Sequence, residues 1–149
     1  MVDKSAVGAT TAPVEVPIER GKVREFARAT MSENAAYLGS DAPVIPPTFL
    51  TTINFWMSAE ESPMAKVGLD LRRLLHGGQE YVFHGPPPRA GSTLHATSRI
   101  EDIYEKEGRR GGTMTFVVAV TEFRDEDGAL VAEARATAIE TGQAPTGGA

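Results

Sequence analysis

Pro46-Pro47-Thr48-Phe49-Leu50-Thr51-Thr52-Ile53-Asn54-Phe55-Trp56-Met57 is the stretch whose reading decides the fold. Proline suits a first helical turn because it lacks the N–H that a helix start leaves unpaired. A helix is therefore expected from Thr48 to about Ala59. Phe49, Leu50, Ile53, Phe55, Trp56 and Met57 leave it almost no polar side, and a helix apolar nearly all round is a buried one. The rest of the chain has to supply what buries it.

The C-terminal half reads as strands. Glu60 to Asp70 is expected to be a mobile connection. Leu74 to His84 is the first long strand, and Gly85-Pro86-Pro87-Pro88-Arg89-Ala90-Gly91 forces a turn. Ser92 to Tyr104 follows, then a polar hairpin loop from Glu105 to Gly112. Thr113 to Phe123 is rich in Thr, Val and Phe, which favour strands. Asp125-Glu126-Asp127-Gly128 is a turn signal, and Ala129 to Glu140 is the last strand. There Leu130, Ala132, Ala134, Ala136 and Ala138 share one face, small enough for another layer to approach closely. On the N-terminal side, Val14 to Ile18 is a short strand that Pro17 marks as an edge. Glu19 to Thr30 is a helix with Val23, Phe26 and Ala27 on its apolar face. Ser32 to Pro46 is mostly loop, with one helical turn near Ala35 to Tyr37. A curved antiparallel sheet of about five strands around one apolar helix satisfies this layout. Pattern alone leaves it one α+β option among several.

The chain has 149 residues and fits one domain, 14–140, between a loose leader (1–13) and a loose tail (141–149). The net charge is -5, with no basic cluster beyond Arg109-Arg110, which argues against a nucleic-acid partner. Cysteine is absent, so disulfides and thiolate metal sites are excluded. A cytoplasmic location is expected. Met1 to Ala12 lacks the apolar core of a signal peptide, and no apolar run approaches a membrane span.

Three stretches carry a family resemblance. They are Phe26-Ala27-Arg28-Ala29-Thr30-Met31-Ser32-Glu33-Asn34-Ala35-Ala36-Tyr37, then Val44-Ile45-Pro46-Pro47-Thr48-Phe49, then Leu75-His76-Gly77-Gly78-Gln79-Glu80-Tyr81-Val82-Phe83 with Arg89-Ala90-Gly91-Ser92-Thr93-Leu94 after it. In order and spacing the chain resembles MaoC-like (R)-specific enoyl hydratases and 3-hydroxyacyl dehydratases. It is similar in particular to the N-terminal-type domains of fungal fatty-acid-synthase dehydratase and to mycobacterial hydroxyacyl dehydratase subunits. The resemblance covers Val14 to Ile139 and implies a hot-dog fold, a curved sheet wrapped around a central helix. It also implies a lyase of lipid metabolism that adds water across a 2-enoyl thioester of CoA or carrier protein, or removes it, with no further cofactor. That chemistry needs one group to activate water, one to protonate the α-carbon, and a backbone N–H at a helix start to stabilise the enolate oxygen.

Active members carry Asp-x-Asn-Pro-x-His. Here the Asp falls on Ser32, the His on Tyr37, and Asn34 matches. Serine and tyrosine hydroxyls as residue types ionise far above neutral pH. The His-Gly that opens the helix of active members falls on Pro46-Pro47, and proline has no N–H to donate. Ser32, Tyr37 and Pro47 thus stand as degenerate catalytic positions, with Asn34, Pro46, Thr48 and Gln79 as candidate substrate contacts. Each has a plainer reading. Ser32 can cap a turn, Tyr37 can pack, and Pro46-Pro47 can simply start the helix. His76, His84 and His95 show no metal spacing and read as surface or packed residues, so no metal site is expected. Gly77-Gly78 within a strand suggests a bulge or a close backbone approach. Phe55-Trp56 reads as core or as the border of an acyl channel, and Arg109-Arg110 as solvated.

Three functions follow. In the first, the chain is a non-catalytic subunit shaping the acyl pocket of a homologous MaoC-like catalytic subunit, in a dimer or larger assembly. In the second, it is a self-sufficient homodimeric hydratase or thioesterase using Glu33, Asp41 or His76. In the third, it binds an acyl thioester without turnover.

Overall fold

Alternating apolar and polar side chains bend the chain into a hot-dog fold, a five-stranded antiparallel sheet curved over a short helix. The computed structural model describes residues 2–108 and 112–142. Its strands are β1 (Val14–Pro17), β2 (Leu74–Phe83), β3 (Thr93–Glu107), β4 (Thr113–Arg124) and β5 (Leu130–Glu140). They lie in the order β1-β3-β4-β5-β2. Pro17 sits in an edge strand, where a missing N–H interrupts no second ladder. Helix α1 (Arg20–Ala29) buries Val23 and Ala27, and the single turn α2 (Ala35–Leu38) follows it.

The small residues of β5 set the depth of the concave face. Ala132 lies between Phe83 of β2 and Phe123 of β4, so one methyl is flanked by two rings. Ala134 lies between Tyr81 and Thr121, and Ala136 between Gln79 and Ala119. Val16, Leu94, Ala96, Phe123 and Ala132 form the main core with Phe49, Leu50 and Ile53 above them. At Gly77 the ladder slips, as the glycine pair suggested. The register shifts between His76 and Gly78, and a Cβ on Gly77 would fall 2.6 Å from Ile139 Cδ1.

Three expectations are corrected. The central helix is a 3-10 helix of seven residues, Phe49–Phe55, not an α-helix reaching Ala59. It is covered on one side only. Phe49, Leu50, Thr52 and Ile53 are buried, while Asn54 is exposed and Phe55 is 72% exposed. Thr51-Thr52-Ile53 is a β-branched run that disfavours α-helix, and the sheet closes only over its own concave side. On the open side the Lys22 ammonium lies 5.1 Å from the Phe55 ring centre and 5.6 Å from that of Trp56.

The leader is not loose. Gly8 N–H donates to Ile100 O and Thr11 N–H to Ser98 O, while Ala6 is buried. It packs there because Ile100, Ile103 and Val117 leave a second apolar cluster that needs a lid, and Ala6 and Val67 provide it. The connection 60–70 is likewise structured. Its 3-10 turn Pro63–Val67 is capped by Ser62 and buries Val67 completely. Arg73 fastens its far end, bonding Glu140 at 2.8 Å and Asp70 at 3.2 Å. Hydrogen bonds from the Arg72 side chain and backbone hold the Asp70 carboxyl well below the usual carboxylate range. Arg109-Arg110 and most of the tail lie outside the described residues.

Candidate functional site

The loop after α1 puts the altered motif at the surface. Met31 takes a left-handed φ of 55° and turns the chain out of the helix. Ser32 N–H donates to Ala27 O at 2.8 Å, and the Ser32 hydroxyl accepts from Asn34 N–H at 3.3 Å. Asn34 caps α2 through a 2.9 Å bond from Ala36 N–H. Asn34 is exposed, and Ser32 and Tyr37 are half-buried. These polar groups are engaged in ending one helix and starting the next.

The prolines open the 3-10 helix. Pro46 is buried and its carbonyl accepts from Phe49 N–H at 3.0 Å, while Pro47 and Thr48 are exposed. Both prolines precede the helix, whose N-cap is Thr48. Of the other candidates, Asp41 is 96% exposed and pairs with Arg20 at 3.2 Å. Glu33 and His76 are exposed, and no hydrogen bond or ion pair among the described residues joins Glu33, Asp41 and His76. His84 bonds Glu133 at 2.7 Å on the surface. No group of three His, Asp or Glu side chains among the described residues is placed to hold a metal ion.

A chamber of about 140 Å3 lies between the 3-10 helix and the concave face. Thr51 and Asn54 line it from the helix, Gln79 and Tyr81 from β2, Ser98 from β3 and Thr121 from β4. Gln79, nominated from the sequence, is here; Asn34, Pro46 and Thr48 are not among its lining residues. Ser98 and Thr121 face each other in register, their hydroxyl oxygens 2.7 Å apart. Burial raises the Tyr81 phenol above its ordinary value, against a smaller opposing effect from the Thr51 side-chain hydrogen bond. Asn54, Met57, Ser62 and Met64 also line a wider, open groove of about 630 Å3, so chamber and groove adjoin. Sequence reading missed Ser98, Thr121 and Tyr81 as site residues. The available signal was a polar residue at an inward position of an alternating strand, as in Leu94-x-Ala96-x-Ser98-x-Ile100.

A five-stranded antiparallel sheet curved over a short helix defines a hot-dog chain, and the comparisons give its family. The FAS1-like dehydratase domain region model matches residues 5–134, and the chain belongs to that family. A UPF0336 protein of Streptomyces coelicolor is 37% identical over 118 residues, covering 72% of this chain and 77% of its own length. A UPF0336 protein of Mycobacterium tuberculosis is 31% identical over 128 residues, covering 80% and 74%. Among solved structures, a chain of the C-terminally truncated HadBC (3R-hydroxyacyl-ACP dehydratase) complex of Mycobacterium tuberculosis is 29% identical. It aligns with a TM-score of 0.72, covering 90% of this chain and 96% of that one. The ChsH1-ChsH2 complex of the same organism shares the fold, with 16% identity and a TM-score of 0.71 over 96% and 89%. No helix among the described residues is long and apolar enough to cross a membrane.

Proposed function

We propose that this chain is the non-catalytic subunit of a heteromeric acyl-thioester hydratase or dehydratase, and that it shapes the acyl pocket for a MaoC-like partner holding the Asp and His. The observation that carries this reading is the motif loop, where the Ser32 and Asn34 side-chain oxygens accept backbone N–H groups and no carboxylate or imidazole stands at either catalytic position. The prolines add to it, since Pro47 has no N–H to offer an enolate oxygen. The likeness to a chain of a two-component dehydratase complex supports the partnership. In this reading the substrate is a thioester of CoA or carrier protein, no further cofactor takes part, and the assembly works in the cytoplasm. The edge strand β2 offers unpaired backbone groups of the kind that proteins pair or cover.

Reconstitution tests it. The chain alone should show little or no hydration of a 2-enoyl-CoA. With a MaoC-like subunit carrying the intact motif, turnover should appear. Ser32→Ala and Tyr37→Phe should leave that turnover within a few-fold, whereas changing the partner's Asp or His should abolish it, since each such group contributes on the order of a hundred- to ten-thousand-fold. Ordinary enzymatic rates from the isolated chain, lost in Tyr37→Phe or Asp41→Asn, would overturn the reading.

A further inference from the structure

The chamber is small, and among the alanines of its far wall stands a pair of hydroxyls, which is unexpected for a hydrocarbon tail. Ser98 is 4% exposed, and its hydroxyl and that of Thr121 share one hydrogen bond. Two hydroxyls carry two hydrogens, and that bond uses one. No further acceptor is bonded to either hydroxyl among the described residues, so one donor is left facing the space. Acceptors are left over as well. The Gln79 amide nitrogen donates to Arg135 O at 3.3 Å and that of Asn54 to Thr51 O at 3.2 Å, and at these exposed side chains no hydrogen bond among the described residues takes up either amide oxygen. Pressing methylene groups against the part-buried Ser98–Thr121 pair leaves its spare hydroxyl hydrogen without an acceptor, which costs more than the bond itself is worth when made.

From this geometry we infer that the chamber receives a short acyl group carrying an oxygen near its far end, a hydroxyl or keto oxygen, and not a plain hydrocarbon chain. The inference rests on the proposed acyl-pocket role. Size agrees with it, since a cavity of roughly 150 Å3 holds a benzene-sized group, and 140 Å3 is therefore room for about six carbons. A ligand oxygen can accept from the Ser98–Thr121 pair, and a hydroxyl can also donate to Gln79 or Asn54. The adjoining groove gives the acyl group its way in past Asn54 and Met64.

The test uses the chain reconstituted with a MaoC-like subunit that carries the intact motif. Turnover of 2-hexenoyl-CoA is compared with that of 6-hydroxy-2-hexenoyl-CoA. The hydroxylated substrate should have the higher kcat/KM, by about three- to tenfold, as one net buried hydrogen bond provides. Thr121→Val, close to isosteric, and Ser98→Ala should erase that preference by raising KM for the hydroxylated substrate more than for 2-hexenoyl-CoA. Thr121→Ser should retain it, which a purely structural role for the hydroxyl would not require. Equal kcat/KM in the unmutated pair, or a preference for the plain chain, overturns the inference while leaving the subunit reading intact. Failure of every such pair to turn over either substrate overturns both.

Discussion

The motif loop and the chamber hold similar polar groups and treat them oppositely. In residues 32–37 the hydroxyl of Ser32 and the amide of Asn34 bond backbone N–H groups within two residues, at the surface. In the chamber, Ser98 and Thr121 meet across two strands, one of them almost wholly buried, with a donor unspent. Local bonds of the first kind use the Ser32 and Asn34 oxygens to build structure, at a surface where water can take up the remaining hydrogens. Long-range buried pairs of the second kind depend on the fold, and what they leave unpaired is available for recognition. The proposed subunit role places recognition on the sheet and not in the loop of residues 32–37.

The comparison implies a hierarchy of effects, and the largest belongs to the roof of the chamber. Phe49 is 1% exposed and meets the Phe26 ring edge-to-face at 5.5 Å, pinning the 3-10 helix against α1. Phe49→Ala should cost about 3–5 kcal/mol, the usual range for a buried Phe truncation, measured by urea denaturation. A cost below about 1 kcal/mol would show that the helix is not held by this core, and the chamber with it would lose its fixed roof.

Next comes the bulge that frames the chamber on the β2 side. Gly77→Ala places a methyl 2.6 Å and 2.7 Å from two carbons of Ile139 and 3.2 Å from Thr137 O. Ile139 can turn away, but the backbone oxygen cannot, so a cost of about 1–3 kcal/mol is expected, as for other overpacked sites. Gly78→Ala meets nothing within 4 Å, and its effect should stay within about 0.5 kcal/mol. Parallel thermal melts of the two variants check the contrast, and equal melting temperatures would refute the bulge geometry.

How much of this was readable beforehand follows the same division. The strands were legible because period-two alternation and the turn residues 85–91 and 125–128 are local signals. The helix was legible only as apolar. Which of its sides is covered depends on the sheet, so Phe55, apolar like its neighbours, stands 72% exposed. The leader misled for a related reason. Its small polar residues look like a tail, yet Ala6 fits the gap over Ile100 and Ile103, which no local pattern announces. The altered motif was legible because it is six consecutive residues. The chamber was not, because Gln79, Ser98, Thr121 and Ala134 come together only through strand register.

The smallest effects are expected in the motif loop, and they test the comparison from its other side. Asn34 is the N-cap of α2, with a 2.9 Å bond from Ala36 N–H. Replacing a capping Asn by Ala usually costs about 1 kcal/mol, and α2 is a single turn with no buried residue to hold it otherwise. Asn34→Ala should therefore lower stability by about that amount. Ser32→Ala should do less, within about 0.5 kcal/mol, because the bond it loses is 3.3 Å long and the site is only half-buried. Both losses should appear in the isolated chain and be unchanged when a saturating acyl-CoA is added to the reconstituted pair. If Ser32→Ala instead costs more than Asn34→Ala, or its cost grows with ligand present, then the Ser32 hydroxyl contacts the ligand, and the loop is part of the recognition surface after all.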